Sequence, residues 1–166
     1  MTRIVVDTAA RTLAYGDIVV DCAIGRGGAC DAPDKGEGDG RTPRGLWPIR
    51  AALLRPDRGL APPRYLPWRW LRRDDGWSDA PADPAYNRAV RHPYLYSAES
   101  LWRDDALYDV VLVLGHNDAP PRAGAGSAIF LHLRGGEATE GCVAISREAM
   151  RALLGELAAD AAVEIR

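Results

Sequence analysis

Residues 110–114, an unbroken apolar run of Val-Val-Leu-Val-Leu, constrain the fold of this chain more than any other segment. A strand with one face in water alternates apolar and polar residues, whereas a strand buried on both faces can be apolar throughout. We therefore predict a strand from Tyr108 to Leu114 inside a sheet that is covered on both faces. The polar segment Gly115-His116-Asn117-Asp118 ends this strand.

Other elements are predicted from short runs rich in valine and isoleucine and from one helical periodicity. Strands are expected at 3–6, 12–14, 18–24, 46–54 and 162–165, and the first three form a hairpin or meander. One clear helix is expected over 147–159, because Ser146 is a good N-cap and four apolar positions share one helical face, namely Met150, Leu153, Leu154 and Leu157. The predicted fold class is mainly β, or β-rich α+β, with one C-terminal helix.

Two long irregular insertions interrupt this pattern. The first, from Asp31 to Gly45, is nearly all glycine, acid and proline, and is typical of a long exposed loop. The second, from Arg55 to Asp83, is rich in proline and tryptophan. Its Tyr65, Trp68 and Trp70 could wall a groove, but packing is the commoner outcome for such rings and is the interpretation that we favour.

The chain is most simply one domain over residues 1–166, long enough to bury a core without metal or disulfide support. A net charge of −2, with 47% hydrophobic and 27% charged residues, is typical of ordinary globular proteins and gives no indication of a nucleic-acid surface. No segment has the apolar length of a signal peptide or of a membrane span, so the localisation stays open. The chain has twenty arginines but only one lysine, Lys35.

The three cysteines, Cys22, Cys30 and Cys142, form no CxxC motif and have no metal-ligand spacing with the three histidines, so no metal site is expected. Two alternatives stay open for Cys22 and Cys30: they form a disulfide if the protein is exported, or they are two free thiols. The odd count leaves at least one thiol unpaired within the monomer, which suits a working cysteine.

The segment from Ser127 to Ser146 holds the best candidates for chemistry. Apolar residues 128–131 lead into His132, a polar loop follows, and Gly141 precedes Cys142 at the start of a second apolar run. A cysteine is a strong nucleophile only as the thiolate, and a nearby imidazole can take its proton. Gly141 permits a sharp turn that would aim the N–H groups of Gly141 and Cys142 at an oxyanion. The alternative is a small buried cysteine beside a structural strand histidine.

Two motifs resemble those of the L,D-transpeptidase catalytic domain family (YkuD-like). Phe130-Leu131-His132 and Thr139-Glu140-Gly141-Cys142-Val143 are similar to its histidine strand and its Ser/Thr-x-Gly-Cys-hydrophobic signature. The glycine-rich loop of residues 35–45, which ends in Thr42-Pro43-Arg44-Gly45, is similar to a segment upstream in the same family. The resemblance covers most of the chain, from Gly25 to Ile165, and implies a YkuD-like β-sandwich with a mixed sheet.

The resemblance also implies a cysteine acyltransferase that acts on peptidoglycan stem peptides and needs no cofactor. His132 would deprotonate Cys142, and the thiolate would attack the stem tetrapeptide, release its terminal D-alanine and pass the acyl group to an amine or to water. Thr139 would hold the loop before the nucleophile. His116, which follows the 108–114 strand, is the rival histidine. It is given a secondary role, in substrate contact or in hydrogen bonding to the groups around the site, and a purely structural role stays equally open.

Arg44 and Arg134 are candidates for gripping a substrate carboxylate, because a guanidinium pairs with it through two hydrogen bonds. Glu140 stands where many family members carry a second histidine or a basic residue, and Ala144 where an asparagine or arginine is usual. The acid is expected to raise the pKa of the Cys142 thiol. Two other functions therefore stay open: a non-catalytic relic of the fold that binds the cell envelope, and a cytoplasmic cysteine hydrolase or amide-forming enzyme that acts on another amide.

Overall fold

The computed structural model describes residues 3–166 of the chain. Within this part, strands make up most of the regular structure, and one 3₁₀ turn (Ala32–Asp34) and one α-helix accompany them. The elements in chain order are β1 (Arg3–Asp7), β2 (Thr12–Tyr15), β3 (Ile18–Ala23), β4 (Ala29–Asp31), β5 (Thr42–Leu54), β6 (Trp68–Trp70), β7 (Asp75–Ser78), β8 (Ala89–Arg91), β9 (Ala98–Ser100), β10 (Val110–Leu114), β11 (Phe130–Leu133), β12 (Val143–Ile145), α1 (Arg147–Glu156) and β13 (Ala162–Ile165).

Ten strands form one mixed sheet in the order β10-β11-β12-β3-β2-β1-β13-β5-β4, with β6 beside β5. The long strand β5 folds this sheet back on itself, because residues 45–48 pair with β13 whereas residues 49–54 pair with β10. The pairs β1–β13 and β11–β12 are parallel, and β10–β11 is antiparallel. The result agrees with the predicted mainly β fold and its mixed sheet.

The main core lies between the β1-β2-β3 part of the sheet, the β10-β11-β12 part and the inner face of α1. Each layer contributes fully buried apolar side chains, among them Ile4, Leu13, Leu112, Leu131 and Leu153. Ser146 caps the helix, since its side chain accepts the Ala149 N–H at 3.1 Å. The predicted N-cap and the buried face are therefore confirmed, while the helix ends at Glu156, three residues before the expected end.

A second apolar cluster covers the opposite face of β10 and β11. It contains Val111, Phe130 and Cys142, and Trp77 from a small sheet of order β8-β7-β9 packs against it. The Trp77 ring meets the Phe130 ring edge-on, with centroids 5.2 Å apart. Strand β10 is buried at every residue, as the apolar run predicted, because a core lies on each of its faces.

Two expectations about the irregular insertions are wrong. The segment after β4 is not simply an exposed loop, because Lys35 is buried and forms an ion pair with Asp39 at 2.5 Å that draws the loop inward. Packing of the tryptophans of β6 was favoured, but Trp68 and Trp70 are each 41% exposed on a strand that pairs only with β5. Their rings pack on each other instead, with centroids 5.0 Å apart.

Among residues 3–166, no helix has both the length and the apolar character that a bilayer crossing requires.

Candidate active site

Cys142, the predicted nucleophile, lies directly before β12 and is 7% exposed. Its thiol donates a hydrogen bond to the Ala128 carbonyl, with Sγ and O 3.2 Å apart. Its sulfur accepts the Phe130 N–H at 3.4 Å. The thiol is therefore held in place by the backbone on either side of Ile129, where the chain enters β11.

The turn that carries Cys142 is closed by Thr139. The Thr139 hydroxyl donates to the Cys142 carbonyl at 2.6 Å and accepts the Gly141 N–H at 3.1 Å. Gly141 has a φ of +139°, and a Cβ there would lie 2.9 Å from the Arg41 carbonyl oxygen. The predicted loop-holding contact of Thr139 is thus present, but it occupies the Gly141 N–H that was expected to face an oxyanion.

His132 lies on β11, in register with Val111 of β10 and Ala144 of β12. Its Nδ1 is 2.8 Å from the Leu133 carbonyl oxygen. Because a carbonyl oxygen only accepts, Nδ1 carries the proton and Nε2 holds a free lone pair. The Tyr108 ring packs edge-on against the imidazole, with centroids 5.1 Å apart, and limits its rotation.

Cys142 and His132 line the same cavity, which has a volume of about 620 Å³. We name it the thiol cavity, and its wall also includes Lys35, Glu99, Tyr108 and Thr139. Among the described residues no hydrogen bond joins the thiol to the imidazole. The two predicted catalytic residues therefore line one shared cavity.

The thiol and the imidazole are both neutral in the free protein near pH 7. Burial raises the pKa of Cys142 to about 12, and the charge of Glu99 adds to this effect. Burial lowers the pKa of His132 to about 4, although its hydrogen bond to Leu133 acts in the opposite direction. The two groups therefore do not form a thiolate–imidazolium ion pair in the free protein.

The carboxylate that opposes ionisation of the thiol is Glu99, not Glu140 as the sequence suggested. Glu140 lines the cavity, but its side chain is 80% exposed and pairs with Arg26 at 2.9 Å. Glu99 is half-buried, and its Oε1 accepts a hydrogen bond from the Tyr108 hydroxyl at 2.5 Å. The local sequence around Glu99 does not indicate that this residue lines the cavity. Its position there depends on the pairing of β9 with β7.

The three other predicted substrate contacts lie away from the thiol cavity. His116 is buried, packs edge-on against Trp47 with centroids 4.9 Å apart, and does not line the cavity. Arg44 pairs with Asp31 at 3.4 Å, and the Arg134 guanidinium donates to the Gly136 carbonyl at 3.0 Å. The cations that do line the cavity are Lys35 and Arg103, neither of which we predicted as a site residue.

Sequence reasoning also missed Asn87, which holds the backbone next to the thiol. Its Oδ1 accepts the Ala128 N–H at 3.0 Å and the Trp77 Nε1–H at 2.9 Å. Its Nδ2 donates to the His116 carbonyl at 3.1 Å and to the Asn117 carbonyl at 2.7 Å. Asn87 and Ala128 both have a positive φ, so this contact joins two backbone positions of unusual geometry.

Cys22, Cys30 and Cys142 are all free and buried. Within the part of the chain that the structure describes, no group of three or more histidine, cysteine or acidic side chains is arranged to hold a metal ion.

The chain was compared with protein families, curated proteins and solved structures. A family model described as the L,D-transpeptidase catalytic domain (YkuD) matches residues 1–165. Among solved structures, the crystal structure of the L,D-transpeptidase (residues 123-326) from Xylanimonas cellulosilytica DSM 15894 is similar, with a TM-score of 0.45 and 16% sequence identity. The match covers 99% of this chain and 60% of that one, so the chain spans less than two thirds of it. No curated protein matches.

Proposed function

Because the chain belongs to the L,D-transpeptidase catalytic domain (YkuD) family, we propose that it is a cysteine acyltransferase that acts on peptidoglycan stem peptides through a thioester on Cys142. The observation that carries the proposal is that Cys142 and His132 line one cavity, with Nδ1 of His132 bonded to the Leu133 carbonyl and Nε2 left to accept a proton.

His132 is the proposed general base. As a substrate carbonyl enters the cavity, the thiol gives up its contact with Ala128 and passes its proton to Nε2, while sulfur attacks the carbonyl carbon. The imidazolium then returns the proton to the leaving amine of D-alanine. This step breaks the amide C–N bond and leaves the acyl group on sulfur, with Leu133 holding the ring in one orientation throughout.

The tetrahedral oxyanion needs a donor in a site from which water is excluded. The Gly141 N–H already donates to Thr139, so the Cys142 N–H is the donor that we assign to the oxyanion. One such donor stabilises the transition state by about 3 kcal/mol in other acyl-transfer enzymes. The Phe130 N–H, at 3.4 Å from Sγ, supports the negative charge that returns to sulfur when the thioester is resolved.

The proposal is tested with the purified chain and a stem tetrapeptide that ends in D-alanine, or with a carbapenem as a thiol acylator. Intact-mass spectrometry should show one acyl group on Cys142, and fragment masses should show loss of D-alanine. His132→Gln should slow acylation by about 10²-fold or more, the usual effect of losing a general base. Cys30→Ala is the matched control for acylation at Cys142 and should leave it unchanged, because Cys30 is also buried but does not line the cavity.

The outcome also separates the alternatives. A chain that never acquires an acyl group at Cys142 is a binding relic of the fold, and the proposal fails. A chain that is acylated by simple thioester donors but leaves stem peptides intact acts on a different amide, as a hydrolase or an amide-forming enzyme.

A further inference from the structure

Glu99 is a carboxylate inside the thiol cavity that has no cationic partner. Of the described residues, only the Tyr108 hydroxyl bonds to it, and it takes part in no ion pair. Arg103, the nearest cation, is committed to Asp105 at 2.6 Å. Lys35, the other cation of the cavity wall, is held by Asp39 and by the Gly36 carbonyl at 2.7 Å.

An unpaired carboxylate in a half-buried position costs free energy, and here it also opposes the chemistry. It faces the Cys142 thiol, whose ionisation it disfavours. The charge of Arg103 favours the carboxylate form of Glu99, whereas two further acids, Asp79 and Glu37, oppose it. Glu37 accepts a hydrogen bond from the Tyr86 hydroxyl, whereas the buried Oδ1 of Asp79 has no partner among the described residues. Glu99 thus has no ion-pair partner among the described residues, although the charge of Arg103 acts on it.

Tyr108 places Glu99 relative to the base. The hydroxyl of Tyr108 is bonded to the carboxylate, and its ring lies against the His132 imidazole, so one rigid side chain spans the two acceptors. A group that enters the cavity between them can give protons to both. The acyl acceptor of an amide-forming reaction is such a group, because a side-chain amine arrives as an ammonium with three protons near neutral pH.

We infer that Glu99 binds the ammonium group of the acyl acceptor, takes its first proton, and thereby favours amide formation over hydrolysis at the Cys142 thioester. The inference rests on the proposed function, since it concerns the second half of the same reaction. It assigns a residue of this chain to the acceptor amine, and it gives the unpaired carboxylate a cationic partner.

The step balances as follows in atoms and charge. The ammonium transfers one proton to the Glu99 carboxylate and becomes a neutral amine. Its nitrogen lone pair forms the new C–N bond, the C–S bond breaks, and the electron pair returns to sulfur. The second proton lost by nitrogen goes to Nε2 of His132 and from there to the Cys142 sulfur, which restores the resting thiol. Glu99 then releases the first proton to solvent, which restores its carboxylate. Burial raises the pKa of Glu99, which makes its carboxylate a better proton acceptor.

The test compares Glu99→Gln with Glu140→Gln in the full chain. Both acids line the cavity, but Glu140 is exposed and paired with Arg26, so it controls for the loss of one negative charge. The acyl donor is an isotopically labelled stem tetrapeptide, and the acceptor is an unlabelled stem tripeptide with a free side-chain amine, so that the label distinguishes the hydrolysed donor from the added acceptor. Mass spectrometry gives the ratio of amide-linked dimer to hydrolysed tripeptide, and the rate of acylation is recorded separately.

We expect Glu99→Gln to lower the dimer-to-hydrolysis ratio by about tenfold or more, the effect of losing a hydrogen bond to a charged group. Acylation should proceed at least as fast as in the wild type, because a negative charge beside the thiol is gone, and this also shows that the variant is folded. Glu140→Gln should keep the wild-type ratio. Hydroxylamine, which is neutral at pH 7, should intercept the thioester equally well in both variants, and Glu99→Asp should retain most of the preference for the amine.

Three results would overturn the inference while leaving the proposed function intact. The first is a wild type that is acylated but transfers the acyl group only to water. The second is a dimer-to-hydrolysis ratio in Glu99→Gln within twofold of the wild-type ratio, and the third is a loss of the hydroxylamine reaction in Glu99→Gln as large as its loss of dimer formation. A wild type that is not acylated at Cys142 overturns both.

Discussion

The Oδ1 of Asn87 accepts the Ala128 N–H at 3.0 Å, and the Ala128 carbonyl in turn accepts the Cys142 thiol at 3.2 Å. Asn87, in the segment before β8, thus sets the orientation of the Ala128 peptide, whose carbonyl holds the Cys142 thiol. Asn87 is 4% exposed and uses its amide for four hydrogen bonds, so the contact is rigid.

Asn87→Gly should reduce acylation of Cys142 by about tenfold and destabilise the protein by about 2–4 kcal/mol, because four buried hydrogen bonds lose one partner. Glycine keeps the positive φ of 56°, so the effect reports the side chain alone. Asn87→Ala should be less stable than Asn87→Gly by about 1 kcal/mol because of that φ. Urea unfolding and intact-mass acylation rates measure both, and acylation at the wild-type rate in Asn87→Gly would contradict a positioning role.

Thr139→Ala should destabilise the turn before Cys142 by about 1–2 kcal/mol, because the Gly141 N–H and the Cys142 carbonyl both lose their partner. Thr139→Ser keeps the hydroxyl and should restore most of the stability and the acylation rate. The comparison is made by thermal unfolding and by acylation with a carbapenem. A serine variant as impaired as the alanine variant would show that the methyl group matters and not the hydrogen bonds.

Gly141→Ala should destabilise the protein by about 2 kcal/mol or more, since the new Cβ lies 2.9 Å from the Arg41 carbonyl oxygen and the φ of +139° is strained for any other residue. Gly136→Ala is the matched control in the same loop, because a Cβ there meets nothing within 4 Å. Denaturant midpoints of the two variants should differ clearly. Equal midpoints would mean that the turn adjusts without cost.

The stability of the protein should fall as the pH drops from about 6.5 to 4. Burial lowers the pKa of both His116 and His132 from 6.5 to about 4, so over this range the unfolded chain takes up protons that the folded chain does not. Their contribution is therefore fully present above pH 6.5 and is lost as the pH approaches 4, about 3 kcal/mol for each histidine. Paired carboxylates such as Asp57, whose pKa Arg55 lowers to about 2, respond only below this window.

His116→Phe removes one of the two buried histidines. The Nδ1 of His116 has no hydrogen-bond partner among the described residues, so the substitution loses no hydrogen bond at that atom. Urea unfolding at pH 7.5 and pH 4 should show a smaller acid loss in this variant than in the wild type. Parallel losses in the two proteins would assign the acid sensitivity to other groups.

Much of the fold could be predicted because it depends on local patterns. The apolar run of β10, the valine- and isoleucine-rich runs of β1 and β3 and the Ser146 N-cap each indicate their structure within a few residues. The family match over residues 1–165 confirms the resemblance that the two motifs indicated. Strand β5 could not be predicted in full, since its first residues include glycine and proline and are extended by pairing with β4 at residues 42–44 and with β13 at residues 45–48.

The sequence by itself determined where strands β1, β2, β3, β10 and β13 and the helix lie. It also determined which cysteine and histidine stand near each other along the chain, because hydrophobic periodicity, caps and motifs act over short distances. Only the tertiary structure decided which charges surround the thiol. It turned Glu140 outward to Arg26, brought Glu99 and Lys35 to the cavity, and left His116 behind Trp47. Electrostatic effects and burial depend on contacts between segments far apart in the chain, and no local pattern encodes them.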